Sequence, residues 1–137
     1  MKRTLVIGDI HGGLKALLQA LGRAEIQPSD TLIFLGDYVD GWSESAQVIE
    51  FLQTRQIHLS FFNHLKSYHI DSQNRLFVHA GFGSIHGPED EHDDNNFLWD
   101  RTLWETALTI ERRNQKDETM IPKRLKLFKE IVIGHTP

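Results

Sequence analysis

Four times along this chain an apolar run gives way to a glycine-flanked aspartate or histidine. Thr4–Ile7 leads into Gly8-Asp9-Ile10-His11-Gly12-Gly13, and Thr31–Leu35 into Gly36-Asp37-Tyr38-Val39-Asp40-Gly41. Leu76–Val78 leads into His79-Ala80-Gly81, and Ile131–Ile133 into Gly134-His135-Thr136-Pro137. Carboxylates and imidazoles delivered to one sheet edge form a site for a divalent cation. The chain has no cysteine, so oxygen and nitrogen are the only donors on offer. Asp9 and His11 lie two residues apart, and an extended backbone sends both side chains the same way. The neighbouring glycines allow a tight turn and the close approach of a ligand. A helix start follows, where free N–H groups favour an anion such as phosphate. Asp37 has two oxygens and sits on the strand expected beside the first, which suits it to bridge two cations.

Plainer readings compete at each position. Asp9 could simply cap the helix that follows, and Asp40-Gly41 could be an ordinary turn. His79 and His135 could be structural histidines at strand ends. The acidic stretch Glu89–Asp94 could bind a cation or be a solvated run of charge. His58, His64, His69, His86 and His92 read as surface or loop residues.

The elements that must hold these residues follow from the apolar spacing. Thr4–Ile7 and Thr31–Leu35 predict fully buried strands. Leu14, Leu17, Leu18 and Leu21 predict a helix over Leu14–Ala24. Ser43 or Ser45 is placed to cap a second helix through Val48, Ile49, Phe51 and Leu52. This β-α-β-α order predicts parallel strands with helical crossovers, an α/β fold. Ligands of such sheets bind beyond the carboxyl ends of the strands. The order then breaks, because Gln53–His58 is too polar for a third buried strand. Ile57, Phe61 and Leu65 suggest another helix instead. Tyr68–Asp71 and Arg75–His79 read as a hairpin turning at Ser72-Gln73-Asn74. Gly87–Asn96 reads as a polar loop and Trp99–Ile110 as a helix. Pro122 suits the first turn of a helix through Lys129, and Glu130–Gly134 is the last predicted strand.

With 137 residues the chain is expected to be one domain with a real core. A net charge of -4 gives no reason to expect nucleic acid or a membrane surface as partner. The apolar run after Lys2-Arg3 is too short for a signal peptide and is interrupted by Asp9 and His11. No segment has transmembrane length, and the cytoplasm is the expected location.

Gly-Asp-x-His-Gly, Gly-Asp-x-x-Asp, His-Ala-Gly and Gly-His-Thr-Pro, in this order from Lys2 to Pro137, resemble the calcineurin-like metallophosphoesterases. The phosphoprotein-phosphatase type is the most similar, including bacterial serine/threonine phosphatases and diadenosine tetraphosphatases. The resemblance implies a β-sandwich flanked by helices (α/β, or α+β in some schemes) with two divalent metals, Mn, Fe or Zn, at the strand ends. Asp9 and His11 would hold the first metal, Asp37 would bridge, and His79 and His135 would belong to the second. Trp99-Asp100-Arg101 is similar to the segment whose arginine grips the substrate phosphate, which suits a bidentate guanidinium. Arg101 could equally be an exposed arginine at a helix start. The implied chemistry is attack on phosphorus by a metal-bound hydroxide. The implied substrate is a phosphorylated protein or a small-molecule phosphoester.

The chain departs from the pattern in three ways. No Gly-Asn-His occurs between the second and third motifs. In the family its Asn would bind the second metal, and its His would protonate the leaving group or steady the transition state. Asp40 would normally support that histidine. Asn63-His64 is an available substitute, but it lies in an apparent helix. Gly41-Trp42 stands where many members have Arg-Gly. Relatives also continue past the Gly-His-Thr-Pro motif. The expectation is therefore an incomplete domain, internally deleted near 53–57 and truncated after 137. Its function would be phosphomonoester hydrolysis, with a catalytically impaired metal-binding remnant or a diadenosine tetraphosphate hydrolase as alternatives.

Overall fold

In the computed structural model, which describes residues 3–54, 65–113 and 118–135, the chain divides into two compact units, Met1–Lys66 and Ser67–Pro137. Each has its own sheet and its own apolar cluster.

In the first unit the β-branched run Thr4–Ile7 forms strand β1 and Thr31–Phe34 forms β2. They pair in parallel, Thr4 opposite Thr31 and Ile7 opposite Phe34. Arg3 locks the start of the pair. Its guanidinium grips the Asp30 carboxylate with two bonds of 2.6 and 3.1 Å, and its carbonyl accepts the Thr31 N–H. Asp30 is thereby held down to about pKa 2, first by the Arg3 hydrogen bond and then by the Gln27 N–H. The expectation of a fully buried β1 fails, since Thr4 and Val6 are exposed. Among the described residues β1 pairs with β2 alone, so its side chains alternate between cover and solvent.

Helix α1, Leu14–Arg23, supplies the parallel crossover. Leu17 is buried with Leu14 and Leu21 beside it, whereas Leu18 stays 44% exposed. Helix α2 runs Ser45–Thr54 and buries Val48 and Leu52 with Ile10 and Leu17. Neither serine caps it. The Glu44 carbonyl accepts the first helical bond, from Val48, while the Ser45 hydroxyl accepts the Asp40 N–H and donates to the Trp42 carbonyl. The helix expected from Ile57 and Phe61, and the Asn63-His64 pair, lie outside the described residues. Leu65, the third member of that spacing, is exposed and not helical.

In the second unit Tyr68–Ile70 (β3) and Arg75–Val78 (β4) form the expected antiparallel hairpin. The Asp71 carboxylate shapes its turn by accepting the Gln73 and Arg75 N–H groups and pairing with the Arg75 guanidinium at 2.6 Å. Strand β5, Glu130–Ile133, pairs in parallel with β4, Val78 opposite Ile133. Leu76, Val78, Phe82, Phe97 and Leu103 form the buried centre.

Two helix expectations need correction here. Trp99–Ile110 is not one helix but two, α3 (Asn95–Trp99) and α4 (Thr102–Arg112). Asp100 is extended at ψ 117°, and its carboxylate takes the Thr102 N–H, which ends one helix and starts the next. After Pro122 there is only a short 3-10 turn over Lys123–Lys126. Gly87–Asn96 is also more ordered than a plain polar loop. The Glu91 carboxylate accepts N–H bonds from Gly83, Ser84, His92 and Asp93 and from the Asn96 amide.

Candidate metal centre

The loops that follow β1 and β2 are laced by backbone hydrogen bonds. The N–H groups of Ile10 and His11 both donate to the Asp37 carbonyl, at 2.9 and 2.7 Å, and Gly12 donates to Tyr38 at 3.0 Å. Trp42 donates back to the His11 carbonyl at 2.7 Å. This lacing forces unusual backbone. His11, Asp37 and Asp40 all adopt left-handed conformations, at φ 50°, 42° and 68°. Such residues are stored strain that persists where the surroundings over-determine it, and they cluster at functional sites. Gly12, at φ +73°, is required for a second reason. A Cβ there would lie 2.7 Å from the Trp42 carbonyl oxygen.

The strain aims three side chains at one point. One donor atom each of Asp9, His11 and Asp37 lies within 4.8 Å of the others. His11 Nε2 is 3.9 Å from an Asp9 oxygen and 3.8 Å from an Asp37 oxygen. Two carboxylates and an imidazole are the donor set of a divalent cation that favours oxygen and nitrogen. They also concentrate negative charge that such a cation would neutralise. The residues therefore fit a metal. Asp9 does not cap α1, because Gly13 occupies that position and no side chain bonds there. Tyr38, packed against Phe34 at 6.4 Å between ring centres, has its phenol pushed up to about 12 by burial and stays protonated.

In the second unit the β4–β5 ladder continues past the strands. The His79 carbonyl accepts N–H bonds from Gly134 at 2.9 Å and from His135 at 2.6 Å. The two imidazoles thus stand side by side at adjacent strand ends, 5.0 Å between ring centres. His79 is buried, and His135 meets the edge of Trp99 at 5.9 Å. Arg101 Nη2 lies 3.2 Å from His135 Nε2. A guanidinium only donates, so Nε2 is the acceptor in this contact. Arg101 is exposed at the N-cap of α4, on the same corner as the imidazole pair.

Asp40 is exposed, and its N–H is spent on Ser45. It does not belong to the Asp9, His11 and Asp37 group. In the acidic stretch, Glu91 is committed to its own loop. Burial would raise its pKa, but the bonds from Gly83, Asn96, Asp93 and Ser84 outweigh that and hold it at about 2. Sequence reasoning missed Arg124, which reaches the Asp100 corner from 24 positions away with no local signal. Asp100 itself was readable, since Asp two before Thr is a turn-forming pattern.

The family model described as calcineurin-like phosphoesterase matches residues 2–137. No curated protein and no solved structure matches the chain.

Proposed function

The chain belongs to the calcineurin-like phosphoesterase family, and from that premise we propose that it hydrolyses phosphomonoesters of the serine/threonine protein phosphatase kind. The carrying observation is the convergence of Asp9, His11 and Asp37 on laced, strained loops. In this reading those three residues hold one divalent ion, and His79 and His135 offer imidazoles to a second. A bound divalent cation lowers the pKa of water and neutralises phosphoryl charge. The planar fork of Arg101 grips two phosphate oxygens and holds the substrate for attack. Asp40 lies where the resemblance puts the carboxylate that steadies a general-acid histidine.

A second reading rests on one observation. No Gly-Asn-His occurs anywhere in the 137 residues, so the residues expected to protonate the leaving group and complete the second metal's ligands have no counterpart by motif. An internal deletion near 53–57 would account for this, and the chain would then bind metal without efficient turnover. Mn²⁺ titration calorimetry together with hydrolysis of p-nitrophenyl phosphate separates the readings. The phosphatase reading expects metal binding and phosphate release, both lost in Asp9→Asn. Metal binding without release from that ester, a phosphoserine peptide or diadenosine tetraphosphate establishes the remnant. Release from the dinucleotide alone moves the substrate class to diadenosine tetraphosphate.

A further inference from the structure

A nearly buried charged network lies directly behind Arg101. The Asp100 side chain is 8% exposed and that of Arg124 14%. Asp100 Oδ1 accepts the Thr102 N–H at 2.9 Å and its hydroxyl at 2.7 Å. The same hydroxyl oxygen accepts both Nη atoms of Arg124, each at 3.1 Å. Arg124 also donates to the Phe82 carbonyl at 3.1 Å and to the Thr106 hydroxyl at 3.3 Å. Asp100 Oδ2 accepts no hydrogen bond among the described residues and faces Arg124 Nη1 at 3.9 Å. Asp100 also presses on Gly81, where a Cβ would meet Oδ2 at 2.8 Å and the Asp100 carbonyl at 2.9 Å. One arginine thus ties together the corner between α3 and α4, the first turn of α4 and Phe82, three residues beyond His79.

We propose that Asp100 and Arg124 are positioning residues: their network fixes the corner that presents the Arg101 guanidinium beside His135. A buried charge pair is poor evidence of net stability, and its best attested use is to specify one arrangement. The geometry here matches that use. Arg101 is exposed, and its long side chain has many rotamers to lose on ordering. Among the described residues its side chain bonds to His135. The direction in which it leaves the chain is set by the backbone at Asp100 and Thr102, and the network clamps that backbone. Loosening the clamp makes Arg101 pay ordering entropy whenever it engages a phosphate. The value of the network for anion binding rests on the proposed phosphatase reading, whereas the effect on His135 does not.

The test uses the full chain with Asp100→Asn, Arg124→Lys, Arg101→Met and the Arg101→Met/Asp100→Asn double variant. The first readout is the ¹⁵N signal of the His135 side chain. Arg101→Met should move it by removing the donor to Nε2, and Asp100→Asn should move it part of the way in the same direction. The second readout is orthophosphate affinity by calorimetry with Mn²⁺ present. Loss of one charged hydrogen-bonding group should weaken it by about tenfold in Arg101→Met. Asp100→Asn should weaken it several-fold in the wild-type background and leave it unchanged in Arg101→Met. An unchanged His135 signal in Asp100→Asn and Arg124→Lys overturns the proposal, as does a full Asp100→Asn effect in the Arg101→Met background. Should Asp100→Asn not fold, Arg124→Lys, which keeps the charge and loses the fork, is judged by the same His135 criterion. If the wild type binds no orthophosphate, the phosphatase reading fails, while the His135 signal still decides the positioning role.

Discussion

His11, Asp37 and Asp40 spend backbone strain on holding side chains where an unstrained turn would not put them. Gly12 is where that geometry is least forgiving, because its left-handed φ and the nearby Trp42 carbonyl both exclude a side chain. Gly12→Ala is expected to cost about 1–3 kcal/mol of stability, measured by urea unfolding. Asp37→Asn separates fold from chemistry at the same site. Asn tolerates the left-handed region as well as Asp does, and the change removes one of two carboxylates crowded around His11. Stability without metal should hold or rise, while Mn²⁺ affinity drops at least about tenfold. Calorimetry read beside urea unfolding distinguishes the two effects, and equal losses in both would contradict this account.

Single polar residues decide where several elements start and stop. Asp71 shapes the β3–β4 turn, Asp100 divides α3 from α4, and Glu91 gathers the segment after Phe82 into an ordered loop. Glu91 and Asp30 both sit near pKa 2 in the folded chain, below ordinary carboxylates. A depressed folded pKa means the stabilisation is complete above the unfolded value and disappears as pH falls through the folded one. Stability should therefore be flat above about pH 5 on account of these two groups. It should fall as pH drops from there towards about 2, the folded value of both. Glu91→Gln should lessen that acid sensitivity while lowering stability at pH 7. Urea midpoints taken across pH 2–7 check both, and an unaltered pH slope in the variant would assign the sensitivity elsewhere.

At the scale of the whole chain, each unit carries a separate apolar cluster, one around Val48 and Leu17, the other around Leu76 and Phe82. Leu76 is wholly buried among β4 neighbours, so Leu76→Ala should cost about 2–5 kcal/mol through lost transfer energy and the cavity left behind. Hydrogen exchange should show the largest loss of protection within residues 68–133. A loss concentrated in residues 3–54 would mean that the second cluster does not govern its own unit. Among the described residues no helix is long and apolar enough to cross a membrane.

The order of glycine-flanked donors, the parallel β1–β2 pair, helix α1 and the β3–β4 hairpin were all legible from residue types and short-range spacing. Those features arise from neighbours in sequence, and local rules of apolar periodicity and turn chemistry reach that far. The left-handed turns at His11 and Asp37, the one-sided exposure of β1 and the reach of Arg124 were not legible. Each is imposed by partners distant in the chain: the Asp37 carbonyl on His11, a single neighbouring strand on Val6, Arg124 on Thr102. The string of residues determined which chemistry was on offer. Only the folded chain decided which donors meet and at what angle, because hydrogen bonds across long separations override local preference.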